Sequence, residues 1–464
     1  MTSPANTRLP ISDDVEAVLP AAISRAHDWL KSTADEEDKA TEQLADLLRD
    51  DDGVKFTMDF VDRVMRPEDD KVAAHALKDI SSHYDPSFLG SINGALVGAG
   101  GFFGPILPNL VMPVARLYMR KMVGHLVLDA ESDALNKILD KAAESGEQLN
   151  LNLLGEAVLG EEEAKSRAQR TLKLIQNPRV TYVSVKASSM VAQLNHWDID
   201  GSVERLKERL RPLYQAAADR TDKVFINMDM EEYHDLHLTI RLFKELLSEP
   251  EFLTLDAGIV LQAYLPDTFD ALKDVADFAK ERVAKGGGKV KVRIVKGANL
   301  SMETVQGEVH DWPLATYTNK LDVDANYYRL LDFILREEYA DSVRIGVATH
   351  NLYTAAMAYE LGKKRGVLHM MDSEMLQGMS PAQQAAVRKV FDGRQILYTP
   401  VVHAEDFDVA VSYLVRRLEE NSAPQNFLYA LFAPGEEPLA DQEETFRRAV
   451  AKRWDTFAGA RRTQ

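Results

Sequence analysis

Residues 258–297 read GIVLQAYLPDTFDALKDVADFAKERVAKGGGKVKVRIVKG. Two short apolar runs, Gly258–Tyr264 and Lys291–Gly297, frame a longer stretch, Phe269–Ala284, whose apolar positions recur every three or four residues. The short runs suit strands and the periodic stretch suits an amphipathic helix. Gly286-Gly287-Gly288, between Lys285 and Lys289, leads into the second run and reads as a flexible loop. Strand, helix, strand in that order implies parallel strands joined by a crossover.

The same unit recurs on both sides. Further runs lie at 150–156 (NLNLLGE), 181–187 (TYVSVKA), 223–229 (KVFINMD), 342–350 (SVRIGVATH), 367–375 (VLHMMDSEM) and 396–402 (ILYTPVV), with helical stretches such as Ser202–Arg220 and Pro381–Phe391 between them. Eight strand–helix repeats predict an α/β fold, a closed (βα)8 TIM-like barrel. A doubly wound open sheet is the alternative, but its glycine-rich first turn is missing. Gly98-Ala99-Gly100-Gly101-Phe102-Phe103-Gly104 has its last glycine one residue late and no strand before it. No Walker A sequence occurs.

Residues 1–130 read as a helical arm or scaffold, with amphipathic helices at Val15–Lys31, Glu37–Leu48 and Lys55–Val64, and residues 131–464 as the barrel with its C-terminal helices. Pro86–Ala115 has no charged residue, yet Pro105, Pro108 and Pro113 argue against a lone spanning helix and for a packing segment. The net charge of −18 disfavours nucleic acid as a partner. The absence of cysteine excludes disulfides and thiolate chemistry and suits a cytoplasmic chain.

The chemistry of such a barrel belongs at the C-terminal strand ends. Those ends carry Glu156, Lys186, Asp229, Gln262, Arg293 with Lys296, His350, Glu374 and Tyr398, the last ending the eighth strand. Ionisable groups in a barrel mouth need one another or a ligand. No metal is expected: His234 and His237 stand three apart on one helix, His350, His369 and His403 are scattered, and HExxH is absent. GxSxG is absent as well. After the eighth strand, Tyr413-Leu414-Val415-Arg416-Arg417-Leu418-Glu419-Glu420-Asn421 sets two arginines side by side, either over the mouth to grip an anion or on a solvated face beside Glu419 and Glu420.

The segments LGEA (154–157), VSVKAS (183–188), NMDMEE (227–232), VRIVKGA (292–298), ATHN (348–351) and YLVRRLEEN (413–421) occur in this order. Together they resemble the proline dehydrogenase domain of the bacterial proline utilisation flavoenzymes, over about residues 130–435. The resemblance implies oxidation of L-proline with FAD as cofactor, a membrane quinone as electron acceptor, peripheral membrane association, and a C-terminal aldehyde dehydrogenase domain or partner. A homo-oligomer is a further expectation. Arg416 and Arg417 would clamp the proline carboxylate, Tyr398 and Tyr413 would wall the ring, and Glu156 would pair with Arg416 to gate the site. Lys186 and Asp229 would lie beside the substrate, and Arg293 would approach flavin N5. Val295, Gly297 and Ala298 would line the isoalloxazine and Gln262 would hydrogen-bond it. Thr349, His350 and Asn351 would serve the ribityl–phosphate side, Leu376 would pack near the flavin, and Glu420 would help hold the adenylate end or the helix. Three departures bear on the pocket. Asn299 replaces an aromatic residue after KGA, Asn319 and Val323 replace Thr-like positions around Lys320, Asp324 and Tyr327, and the stretch between Tyr398 and Tyr413 is longer than usual.

Two rivals stay open on the residues alone. One is a barrel aldolase or phosphate-binding isomerase using Lys186, and the other is a scaffolding domain without a cofactor.

Overall fold

The computed structural model describes residues 13–33, 51–67, 69–84, 100–102, 104–123, 126–130, 132–155, 158, 160–230, 232–403, 410, 413, 417, 420–433 and 435–462. Its strands are β1 (Leu128–Asp129), β2 (Gln148–Leu153), β3 (Tyr182–Lys186), β4 (Phe225–Asp229), β5 (Ala257–Gln262), β6 (Val290–Val295), β7 (Val343–Ala348), β8 (Met371–Leu376) and β9 (Gln395–Val402). β2 to β9 pair in parallel, each with the next in sequence, and β9 pairs with both β8 and β2. The sheet is therefore a closed eight-stranded barrel, as its repeats predict. Strands covered on both faces read as nearly continuous apolar runs, and all six residues of β5 (AGIVLQ) are buried.

Two details differ from the sequence reading. β1, only two residues long, adds to the edge of β9 through Leu128↔Val401, and so short a strand leaves no periodic signal. Tyr398 does not end its strand, because β9 continues to Val402. The continuation survives Pro400 for a local reason. On that edge the Tyr398 carbonyl accepts from the Gln377 N–H and the Val402 carbonyl accepts from the Ala130 N–H, with Pro400 between them. The missing donor of the proline thus falls in the gap between the end of β8 and β1, where no strand needs it.

The lumen is charged rather than apolar. Lys291 on β6 lies 3.1 Å from Asp372 and 2.6 Å from Glu374 on β8, and its ammonium sits 5.3 Å from the Tyr182 ring centre across the barrel. One layer higher, Arg293 Nε donates to Glu374 Oε2 at 2.6 Å. Glu374 is fully buried and takes both cations, which is the arrangement that makes buried charge tolerable. Gly346 on β7 leaves the room for it, since a Cβ there would collide with Glu374 Oε1.

The helix Asp14–Thr33 lays Val15, Val18, Ala22, Ile23, Ala26 and Trp29 into the barrel's own core, packed on the helix Leu352–Lys364. Helices Asp51–Phe60, Asp70–His83 and Pro108–Val123 instead share a small core of Phe56, Phe60, Val64, Leu77, Ile80 and Met112. Pro113 stands inside the last of these without ending it, and Leu110 and Val114 are exposed, so this part of the apolar segment is less covered than its composition suggests. The expected helix 37–48 lies outside the described residues. Among those described, no helix is long and apolar enough to cross a membrane.

Candidate active site

A cavity of about 320 Å³ opens at the C-terminal ends of the strands. Its wall brings together Lys186, Asp229, Gln262, Arg293, Val295, Gly297, Ala298, Thr349, His350, Asn351, Leu376, Tyr398, Tyr413, Arg417 and Glu420, all of them singled out from the sequence. Glu156 and Arg416 lie outside the described residues.

The floor is a polar relay across the lumen. The Tyr398 phenol donates to Asp229 Oδ2 at 3.0 Å and is hydrogen-bonded by the Asn152 amide. Asn227 Nδ2 and Ser184 Oγ donate to Asp229 Oδ1 at 3.0 and 3.3 Å. Burial pushes the Asp229 carboxyl upward, with Arg293, Tyr398 and Ser184 opposing the shift. The Arg293 guanidinium lies 4.8 Å from the Tyr398 ring centre. Burial works against its charge, but Glu374 and Asp229 more than compensate, so Arg293 is a permanent cation.

One wall follows β6. Gly297 takes φ 114°, a conformation that favours glycine, and a Cβ there would strike the Tyr264 ring. Lys296 pairs with buried Asp324 at 2.5 Å, and Lys320 pairs with the same carboxylate. Burial lowers the Lys296 pKa against the pull of Asp324, and the neighbouring Lys320 lowers it further. Burial alone would raise Asp324, but Lys296 and Lys320 hold it below its usual range. The Tyr327 phenol donates to the carbonyls of Ile294 and Ala348 at 3.1 and 3.3 Å, tying β6 to β7. Asn319 keeps the role a threonine would play, because its Oδ1 caps the helix Lys320–Ile334 through the Asp322 N–H. Val323 packs against the core and Asn299 lines the cavity.

The opposite wall joins β7 to β8. His350 Nε2 accepts the Leu376 N–H at 2.9 Å, so the ring proton sits on Nδ1, 3.1 Å from Ser380 Oγ. Burial lowers its pKa to about 4 and keeps the ring neutral. Asn351 Oδ1 caps the helix Leu352–Lys364, and Thr349 Oγ1 accepts the Asn351 N–H at 3.0 Å. His350 therefore orients two strand ends and offers neither nitrogen for proton transfer.

Over the mouth, Arg417 Nη1 pairs with Glu420 at 2.7 Å and the guanidinium stands 5.4 Å from the Tyr413 ring. Its side chain is 15% exposed, which removes it from a solvated face. Its Nε is buried without a hydrogen-bond partner among the described residues. A buried guanidinium donor of this kind suits an anionic group.

Sequence reasoning missed one lining group and the role of another. Asn152, which fixes Tyr398, sits two residues inside a predicted strand and carries no chemistry of its own there. Glu374 was named at a strand end but given no role. The alternation that sets Lys291 and Arg293 on one face of β6, and Asp372 and Glu374 on one face of β8, was the available signal.

Comparison with known proteins follows the same outline. A family model described as proline dehydrogenase matches residues 134–430. Among solved structures, proline utilization A from Corynebacterium freiburgense is 60% identical, with a TM-score of 0.69 over 75% of this chain and 34% of that one. Proline utilization A from Bdellovibrio bacteriovorus, solved after inactivation by N-propargylglycine, is 26% identical, with a TM-score of 0.75 over 93% of this chain and 44% of that one. The protein of Bradyrhizobium japonicum, at 20% identity and a TM-score of 0.66, shares the fold. The chain thus spans less than half the length of each of the first two. No curated protein matches it.

Proposed function

The chain belongs to the proline dehydrogenase family, and from that premise we propose that it oxidises L-proline to 1-pyrroline-5-carboxylate with FAD bound in the barrel mouth. This would be the first step of proline catabolism. The observation that carries the reading is the largely buried Arg417, whose Nε lacks an acceptor among the described residues, facing the same cavity as the Tyr398–Asp229 relay and Arg293.

The donor chemistry suits the cofactor. Lys296 and Lys320 share one carboxylate, which leaves positive charge for a diphosphate. The amides of Gln262 and Asn351 and the Thr349 hydroxyl suit the ring and ribityl chain, Val295, Gly297, Ala298 and Leu376 suit a flat apolar ring system, and Glu420 suits the adenylate end. FAD would supply the two-electron acceptor, a flavin N5 that takes a hydride.

The remaining work falls to the protein. Arg417, together with Arg416, anchors the substrate carboxylate and so fixes which ring hydrogen faces the acceptor. Tyr398 and Tyr413 bound the ring. Asp229 already accepts from three donors and so holds the Tyr398 phenol in place, with Lys186 beside the substrate. Arg293, locked by Glu374, presents fixed positive charge without rearranging during the reaction. A neutral substrate amine needs no dedicated base. Glu156 opposite Arg416 would gate entry. Electrons would leave to a membrane quinone at the inner face of the cell membrane, and an aldehyde dehydrogenase domain or partner would take the product.

The test is a visible spectrum of purified, FAD-loaded protein, with L-proline added in the absence of oxygen. Bleaching of the flavin bands is expected. Colourless protein that takes up no added FAD defeats the proposal.

A further inference from the structure

Outside the cavity, the loops after β3 and β4 bring two histidines and two carboxylates together. His196 Nε2 lies 2.9 Å, and His234 Nε2 3.5 Å, from the same atom, Asp235 Oδ1. His234 Nε2 also stands 3.1 Å from Glu232 Oε2. The imidazoles meet edge to face, with centroids 4.4 Å apart at 87°. We infer that His196, His234 and Asp235 form a binding site for a divalent transition-metal ion of the zinc type, with Glu232 beside it.

The argument starts from where the nitrogens point. One imidazole beside a carboxylate is an ordinary hydrogen bond. Here two Nε2 atoms converge on a single carboxylate oxygen, and the three ligand atoms lie within 4.8 Å of one another, close enough for one ion to reach all three. A tetrahedral zinc shell with ligands at ~2.0–2.2 Å sets neighbouring ligand atoms about 3.3 Å apart. The two separations from Asp235 Oδ1, 2.9 and 3.5 Å, bracket that spacing. Two imidazoles and a carboxylate are a donor set for zinc or its neighbours rather than for magnesium or calcium, with water free to complete the shell. The His234 side is preformed. Asp235 is buried, it closes the turn Tyr233–Asp235 ahead of the helix Leu236–Leu247, and the Tyr233 N–H is pinned to Glu303 at 2.6 Å. His196 comes from a loop whose next residue, Trp197, is fully exposed, so that side is open to solvent and to an entering ion.

None of the three residues lines the cavity, although Ser189 and Met230, on the same two loops, do. The ion would act as a clip between the loops and take no part in the oxidation. The sequence could not reveal it. His234 suggests a partner three residues on, at His237, whereas the structure pairs it with a histidine from the preceding strand's loop.

The experiment uses the FAD-loaded full chain, stripped with chelator, then dialysed against zinc chloride, with magnesium chloride as control. One zinc per chain is expected, with a rise in unfolding temperature that magnesium does not give. Cobalt should give the intense visible bands of a four-coordinate site. His234→Gln should weaken zinc binding about tenfold or more, and His196→Ala with His234→Ala should abolish the stoichiometric ion, while proline turnover in metal-free buffer stays at the native level. No stoichiometric uptake by native protein, or uptake unchanged in the double variant, overturns the site. Turnover is read separately, so failure of the metal site and failure of the proposed oxidation are distinguishable.

Discussion

Arg417 and His350 line one cavity with opposite electrostatics. Arg417 keeps its charge although buried, because Glu420 and Tyr413 outweigh the desolvation. Arg417→Met should therefore raise KM for proline steeply, by ~2–5 kcal/mol of lost charge-assisted binding, and leave bound flavin in place. Unchanged proline kinetics would return Arg417 to a purely local pairing with Glu420. His350 titrates near 6.5 in an unfolded chain and near 4 in the fold. Between these values only the unfolded chain takes up the proton, so stability is full above pH 6.5 and falls as pH drops towards 4. His350→Asn should flatten that slope in denaturant titrations of the holoprotein between pH 7 and pH 5, and an unaltered slope would mean that the ring titrates freely. Both residues were legible as site residues in the sequence. The neutral, doubly hydrogen-bonded state of His350 was not, because it depends on Leu376 and Ser380 from the next strand and its loop.

Strands that close a barrel must tolerate what their neighbours project into the lumen. β7 has the sequence VRIGVA, and its glycine faces the Glu374 carboxylate and the Lys291 stem on adjacent strands. Gly346→Ala should cost about 1–3 kcal/mol of stability through overpacking, and it should also disturb the Arg293 anchor. The checks are denaturant midpoint and kcat for proline, and a variant indistinguishable in both would mean the lumen has slack. Short apolar or alternating runs disclosed all eight barrel strands to within a few residues, because buried parallel strands are nearly pure apolar stretches between turn signals. They could not disclose β1, too short for any period, and the run 396–402 already reached the true end of β9 although Tyr398 was placed at it.

At the scale of the whole molecule, Asp332 joins distant parts of the chain. It is fully buried, accepts from Arg453 Nε and Trp454 Nε1 at 2.9 Å each, and pairs with Arg365 at 2.7 Å. Arg453 reaches on to Glu16, and Arg365 to Asp14. Asp332→Asn would leave two buried guanidiniums with a neutral partner and should destabilise the protein by ~3–5 kcal/mol. KM for proline should stay native, since Asp332 does not line the cavity. A normal denaturation curve would contradict the account. No local pattern announces this network, because its paired members lie from 33 to 437 residues apart in sequence.

The docking of helix Asp14–Thr33 on helix Leu352–Lys364 also fixes an order of events in time. The first helix leaves the ribosome with Val18, Ile23 and Trp29 on one face, and the surface that covers them is translated more than 300 residues later. At ~5–20 residues per second the wait is on the order of tens of seconds. Through that interval the apolar face is held by nothing that belongs to it. Nascent chains arrested before residue 352 thus keep that face bare, and it is the late helices Leu352–Lys364, Pro381–Val390 and Glu437–Lys452 that cover it.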